Sequence, residues 1–169
     1  NNKKNHELII DTFNSKKIRN MNFYCYFAGD GEKVEYLKNK VKNLSLENKI
    51  FFLGNLKKDD LDRFYKKLDL YVQASKGEVL SMSILEAFNQ QVPVLGSNVE
   101  GINNFLKPSK NIGILFENTQ KSLENKIFFF HKLNKKKKLK YSQNQKKYLK
   151  RNFTSDKMFK GYQELLEKI

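Results

Sequence analysis

The feature that most constrains this chain is a repeated switch of hydrophobic period through its first 117 residues. Short apolar runs (NFYCYFA, KIFFLG, LYVQAS, VPVLGS and NIGILFE) alternate with segments whose apolar residues recur every three or four positions. In KKNHELIIDTF, Ile9 and Phe13 share one helical face. In VEYLKNKVKNL the face carries Val34, Leu37, Val41 and Leu44, and in DDLDRFYKKLDL it carries Leu61, Phe64, Tyr65 and Leu68, with Asp59 or Asp60 favouring the helix amino end. SILEAFNQ predicts another helix and residues 101–107 a short one. Apolar strands that alternate with helices predict an α/β fold, a parallel sheet covered by helices on both faces. Ligands of such sheets bind beyond the carboxyl ends of the strands. The glycines Gly29, Gly31, Gly54, Gly77 and Gly96 are expected at those ends. Past Glu117 the strand signal stops. Leu123, Ile127 and Phe130 mark an amphipathic helix, KLNKKKKLKYSQNQKKYLK a basic helical stretch, and a last helix starts near Thr154 or Ser155 and presents Met158, Tyr162, Leu165 and Ile169.

The formal charge of +15 invites a nucleic-acid partner, but only Arg19, Arg63 and Arg151 among the 33 basic residues are arginines. Arginine's fork is what phosphate and base recognition favours, so a solvated lysine surface is the preferred reading and no nucleic-acid partner is expected. Contact with an anionic membrane surface stays open as the minority reading. A chain of 169 residues suits one domain. It has no apolar run of transmembrane length and no signal-peptide core, and its single cysteine, Cys25, reads as a buried strand residue suited to a reducing compartment. It lacks an initiating methionine and reads as a piece of something longer.

Chemistry concentrates in SKGEVLSMSILEAFNQQVPVLGSNVEG, residues 75–101, where seven residues separate Glu78 from Glu86. The strand LYVQAS runs into a loop, and the amides around Leu80, Ser81 and Met82 open a helix, a ready anion site. Carboxylates on either side of such an end suit a ligand with a phosphate centre flanked by sugars. The plainer reading stands beside it: Ser83-Ile84-Leu85-Glu86 matches a capping box, with Glu86 bonding a backbone amide and Glu78 an exposed loop charge. Spacing alone does not choose between them.

The same segment resembles the signature of retaining, nucleotide-sugar-dependent glycosyltransferases of family four, with Glu78, Glu86, Ala87, Pro93 and Val94 at matching positions. KNHELIIDTF is similar to the family's first helix, FYCYFAGDGEKVEYL to its strand and GDG turn, NKIFFLGNL and NIGILFE to two further strands, and FTSDKMFKGYQELLEKI to its carboxy-terminal helix. The resemblance covers nearly the whole chain. It implies the carboxy-terminal half of a GT-B fold: a Rossmann-like parallel sheet with helices on both faces, residues 1–169 forming the donor-binding domain and 119–169 a helical tail. An amino-terminal acceptor domain has no counterpart here. It further implies that Glu86 binds the ribose hydroxyls, Glu78 the transferred sugar, and Lys4 the diphosphate together with the amides of Leu80, Ser81 and Met82. Gly29, Leu53 and Gly54 complete the donor pocket, with Leu53 and Gly54 against the base. Glu78 and Lys4 are the candidate catalytic residues. Two departures stand out. Val79-Leu80-Ser81 replaces the Gly-Phe-Gly of many members, with Ser81 available as a cap or hydroxyl donor. An arginine usually found just upstream of Lys4 has no counterpart.

The implied reaction transfers a hexosyl or N-acetylhexosaminyl group from a UDP- or GDP-sugar to a glycan or lipid-linked acceptor, with retention. The setting would be capsule, exopolysaccharide or lipopolysaccharide assembly at the cytoplasmic, inner face of a bacterial membrane. No obligatory metal or cofactor is implied, and no D-x-D motif or His/Cys cluster suggests one. His6 is read as a helix-surface residue and His131 as structural. The alternatives are a nucleotide-sugar epimerase of the same fold and a non-enzymatic basic module for nucleic acid or anionic membrane.

Overall fold

A computed structural model describes residues 2–107 and 111–167. All five apolar runs are strands: β1 (Cys25–Ala28), β2 (Ile50–Gly54), β3 (Tyr71–Gln73), β4 (Val94–Ser97) and β5 (Ile114–Phe116). Each leads into a helix: β1 into α3 (Val34–Asn43), β2 into α4 (Lys58–Lys66), β3 into α5 (Met82–Asn89), β4 into α6 (Asn103–Leu106) and β5 into α7 (Gln120–Lys132). Ahead of β1 lie α1 (His6–Asn14) and α2 (Lys16–Arg19). After α7 come α8 (Lys135–Asn152) and α9 (Ser155–Leu166). The side chains at 158, 162, 165 and 169, expected on the face of the last helix, lie outside the described ones.

Among the described residues, the strands pair in parallel. β1 pairs with β2, and β4 lies between β3 and β5. Successive residues of a strand point to opposite faces. Accordingly Leu95, Ile114 and Phe116 join Ile9, Ile10, Phe13, Leu123 and Ile127 in one apolar cluster, whereas Val94 and Leu115 join Ile84, Phe88, Ile102, Phe105 and Ile112 in the other. That two-sided burial is why these strands are apolar throughout rather than alternating.

β1 and β3 do not bond to each other. A groove of about 840 Å³ separates them, walled by α1 and α7 on one side and α4 on the other. Cys25 borders it, half-buried, its thiol pushed up to about 12 by burial.

Several local expectations are corrected. Gly96 sits inside β4 rather than at its end, because Ile102 and Leu106 pack directly on its Cα and leave no room for a Cβ. Lys4 precedes α1: Asn5, with φ 53°, breaks the chain between that helix and a 3₁₀ turn at Asn2–Lys4. The basic stretch is broken at Leu133 and Asn134, whose side chain caps α8 by accepting from the Lys137 amide. α8 then packs through buried Ser142 and Gln145, and Gln145 Nε2 donates to the Ile112 carbonyl at 2.5 Å. Lys135, Lys136, Lys137 and Lys140 face solvent, as a solvated lysine surface requires. Among the described residues, no helix is long and apolar enough to cross a membrane.

Candidate functional site

The carboxyl end of β3 is fastened from three directions. The Ser75 carbonyl accepts from Ser97 Oγ, at the end of β4, at 2.6 Å, and from Asn118 Nδ2, past β5, at 3.1 Å. The Lys76 amide donates to the Lys3 carbonyl at 2.7 Å, which brings the amino-terminal turn against this strand end. Lys4 Nζ consequently donates to Glu78 Oε2 at 2.7 Å across 74 positions of sequence. His6, just beyond, sets its ring edge-on to Phe27 of β1 at 5.0 Å. The turn thus bridges the carboxyl ends of β3 and β1.

Gln73, the last residue of β3, is buried and fully hydrogen-bonded. Its Nε2 donates to Glu78 Oε2 at 3.0 Å and to Ser75 Oγ at 3.3 Å. Its Oε1 accepts from Ser81 Oγ at 2.8 Å and from the Tyr71 hydroxyl at 3.0 Å. Ser81 is the N-cap of α5, its hydroxyl also accepting from the Ile84 amide at 3.4 Å. Ser81 therefore fulfils the expected capping role, but not that of a ligand hydroxyl donor, because it is buried against Gln73. The Met82 and Ser83 amides lie in the first turn of α5, and Leu80 and Ser81 lead into it.

The capping box expected from Ser83 and Glu86 does not form. Ser83 lies inside the first turn, and Glu86 Oε2 instead accepts from the Tyr65 hydroxyl of α4 at 3.2 Å. Tyr65 shares its proton with the Ser83 carbonyl at 3.3 Å. Burial, with Tyr71 and Glu86 alongside, raises the Tyr65 hydroxyl far above its ordinary range, and burial pushes Tyr71 up to about 12. Both phenols stay protonated and donate. His6 is likewise not a helix-surface residue. It lines the groove, and burial holds its imidazole below the ordinary value. His131, expected to be structural, is exposed near the end of α7 and lies edge-on to Phe23 at 5.0 Å.

Gly101 supports the same loop. With φ +84°, it abuts the Glu78 carbonyl so closely that a Cβ would overlap that oxygen. Gly29 and Gly54 meet at the carboxyl ends of β1 and β2, where the Gly29 amide donates to the Gly54 carbonyl at 2.7 Å, and Leu53 stands exposed beside them. The structure thus brings together Lys4, Glu78, Ser81 and the start of α5, with Glu86 one turn further in. Gly29, Leu53 and Gly54 form a separate group at the neighbouring strand ends. Sequence reasoning missed Gln73, Tyr65 and Gly101. A glutamine inside the apolar run LYVQAS was the available signal for the first; nothing local marked the pairing of Tyr65 with Glu86. Among the described residues, no group of three His, Cys, Asp or Glu side chains is placed to hold a metal ion.

Residues 1–148 match the family model described as glycosyl transferases group 1. The chain belongs to this family. A glycosyltransferase of Methanocaldococcus jannaschii is 30% identical to this group 1 chain over 143 residues, which are 84% of the chain and 36% of that relative. The lipopolysaccharide core biosynthesis glycosyltransferase LpsE of Rhizobium meliloti is 31% identical over 88 residues, 52% of this chain and 25% of its own length. Among solved structures, the Anabaena protein HepE in complex with UDP-glucose superposes with a TM-score of 0.85 at 21% identity, over 100% of this chain and 46% of that one. That likeness establishes the GT-B, Rossmann-like fold. This group 1 chain spans between a quarter and just under half the length of these three proteins.

Proposed function

We propose that this chain is the donor-binding domain of a retaining glycosyltransferase that moves a sugar from a nucleotide-diphosphate sugar to a glycan or lipid-linked acceptor. The observation that carries the reading is the meeting of Lys4 and Glu78 beside the amino end of α5, from distant parts of the sequence. A cation and a helix amino end make a diphosphate site, and neighbouring carboxylates accept hydrogen bonds from sugar hydroxyls. Without donor, Lys4 and Glu78 neutralise each other. With donor, Lys4 turns to the diphosphate and Glu78 is freed for the transferred sugar. Glu86, held by Tyr65, takes the ribose hydroxyls. Gly29, Leu53 and Gly54 receive the base.

The chemical contribution is electrostatic. Lys4 and the amides around Leu80, Ser81 and Met82 stabilise the negative charge that grows on the departing diphosphate. The acceptor site and the rest of the catalytic machinery belong to a second, amino-terminal domain, so this chain alone binds donor and transfers nothing. The likeness to LpsE supports a setting in surface polysaccharide assembly, with a hexosyl or N-acetylhexosaminyl group as cargo, at the cytoplasmic face of the membrane.

Calorimetric titration with UDP, GDP and ADP tests the assignment. One diphosphate binds in preference to the others, and Glu86→Ala weakens it by about tenfold, the worth of one hydrogen bond to a charged group. If none binds at millimolar concentration, or Glu86→Ala leaves binding intact, the reading fails. The same titration against an epimerase reading adds product analysis: inversion of the sugar without any acceptor would replace transfer as the activity.

A further inference from the structure

Glu78 has two partners of different character. Lys4 is on a turn, its side chain 42% exposed. Gln73 is 4% exposed, fixed at the end of β3 with every donor and acceptor of its amide in use. A ligand phosphate competes for the first and cannot reach the second. Both contacts fall on Glu78 Oε2, which leaves Oε1 for a hydroxyl.

We infer that Gln73 is a positioning residue of the donor site: it keeps the Glu78 carboxylate in place when Lys4 turns to the diphosphate, and through Ser81 it ties that carboxylate to the amino end of α5. The inference rests on the donor-site reading above. Three groups that serve one ligand are thereby held as one unit. The carboxylate cannot drift when its cation leaves, and the cap of α5 cannot shift without moving Gln73. The titratable groups bonded to this amide are Glu78 and Tyr71 of β3; behind them stand Lys4 of the turn, on Glu78, and Tyr65 of α4 and Glu86 of α5, beside Tyr71. Both tyrosines are held protonated well above neutrality, so they do not titrate between pH 5.5 and 8.

The test is Gln73→Glu, with Gln73→Leu beside it. Gln73→Glu keeps an acceptor for Ser81 and Tyr71 but sets an oxygen, in place of the N–H, against Glu78 Oε2. Two carboxylates in contact hold one proton above the ordinary carboxylate range. While that proton is present the hydrogen bond is restored; once it leaves, the carboxylates repel. Carboxyl-detected carbon NMR, with wild type and Gln73→Leu as references, is therefore expected to show an additional, elevated titration step in Gln73→Glu. The affinity gained from the sugar, read as UDP-glucose against UDP or GDP-mannose against GDP, is expected at wild-type level at pH 5.5 and about tenfold lower at pH 8 in this variant. The circular dichroism spectrum stays unchanged, the bare diphosphate serves as the reference for each protein at each pH, and Gln73→Leu loses the sugar gain at both pH values. The inference is overturned if no elevated step appears, or if Gln73→Glu loses the sugar gain equally at both pH values, as a merely structural role requires. Absence of nucleotide binding by the wild-type chain overturns the donor reading and this inference with it; the elevated carboxyl step then tells that failure apart from a wrong Gln73–Glu78 contact.

Discussion

Strand β4 is buried at all four of its positions, whereas β1 alternates between half-buried and exposed, although both are written in apolar residues. The difference lies in their neighbours. β4 has a strand on each side and a helix layer above and below, so every side chain meets protein. β1 has β2 on one side and the open groove on the other, and Tyr24 and Tyr26 remain 53% and 44% exposed, with Tyr26 stacked on Phe51 at 5.2 Å. The half carrying Glu78 and Glu86 is a closed core, with the Glu78 loop hydrogen-bonded to the end of β3. The half carrying Gly29, Leu53 and Gly54 offers backbone at the end of an open edge. An apolar run therefore specifies a strand, but not how completely it is covered.

Truncating one side chain in each half is the strongest way to break this comparison. Phe88 is fully buried beneath α8, edge-on to Tyr148, and Phe88→Ala is expected to cost about 3–5 kcal/mol. Tyr26→Ala removes a partly exposed ring and is expected to cost about 1 kcal/mol. Urea denaturation of both variants measures the two losses. Equal losses would mean that the β1–β2 half is as firmly covered as the other.

A smaller effect separates two glycines that share positive φ. Gly29, at +118°, has open space where a Cβ would stand, with nothing within 4 Å, so Gly29→Ala carries only backbone strain, about 1 kcal/mol. Gly101, at +84°, carries the same strain and also meets the Glu78 carbonyl. Gly101→Ala is expected to cost about 2–3 kcal/mol and, by displacing the Glu78 loop, to weaken nucleotide binding as well. Paired melting curves and UDP titrations decide it. If Gly101→Ala binds nucleotide like wild type, that loop yields without disturbing the site.

The fold was largely legible because its signal is periodic. Short apolar runs mark the strands, whether covered on both faces like β4 or partly open like β1, and amphipathic spacing marks the helices, so all five strands and the long helices follow from pattern alone. The pair Glu78 and Glu86 stood out through the resemblance of its surroundings, and its role as a donor site is the proposal made above. What stayed hidden was pairing between distant residues. Glu86 fits a capping box in sequence, and only the fold brings Tyr65 to its carboxylate. Ser81 and Gln73 lie eight positions apart, and their bond exists only because α5 starts directly over the end of β3. Gly96 obeyed no turn rule because its reason is the packing of Ile102 and Leu106. His6 looked exposed because three of its near neighbours, Lys4, Asn5 and Glu7, are polar, while the contact that buries it is with Phe27.

His6 supplies the gentlest probe of the join between the two halves. Burial of its ring, with positive charge including Lys4 nearby, lowers its pKa below 6.5. In the unfolded chain the imidazole keeps its ordinary affinity for protons, so below about pH 6.5 the unfolded state binds more protons than the folded one. The sign follows: stability is complete above that value, falls as the pH drops toward the folded pKa, and stops falling once the folded ring is also protonated. His6→Phe keeps an aromatic ring against Phe27 and removes the titration. The drop in melting temperature between pH 7.5 and 5.5 should therefore be smaller in His6→Phe than in wild type. An identical drop in the two proteins would place His6 in water rather than against β1, and the Lys3–Lys76 backbone bond would then tie the turn to the end of β3 without a link through this ring to β1.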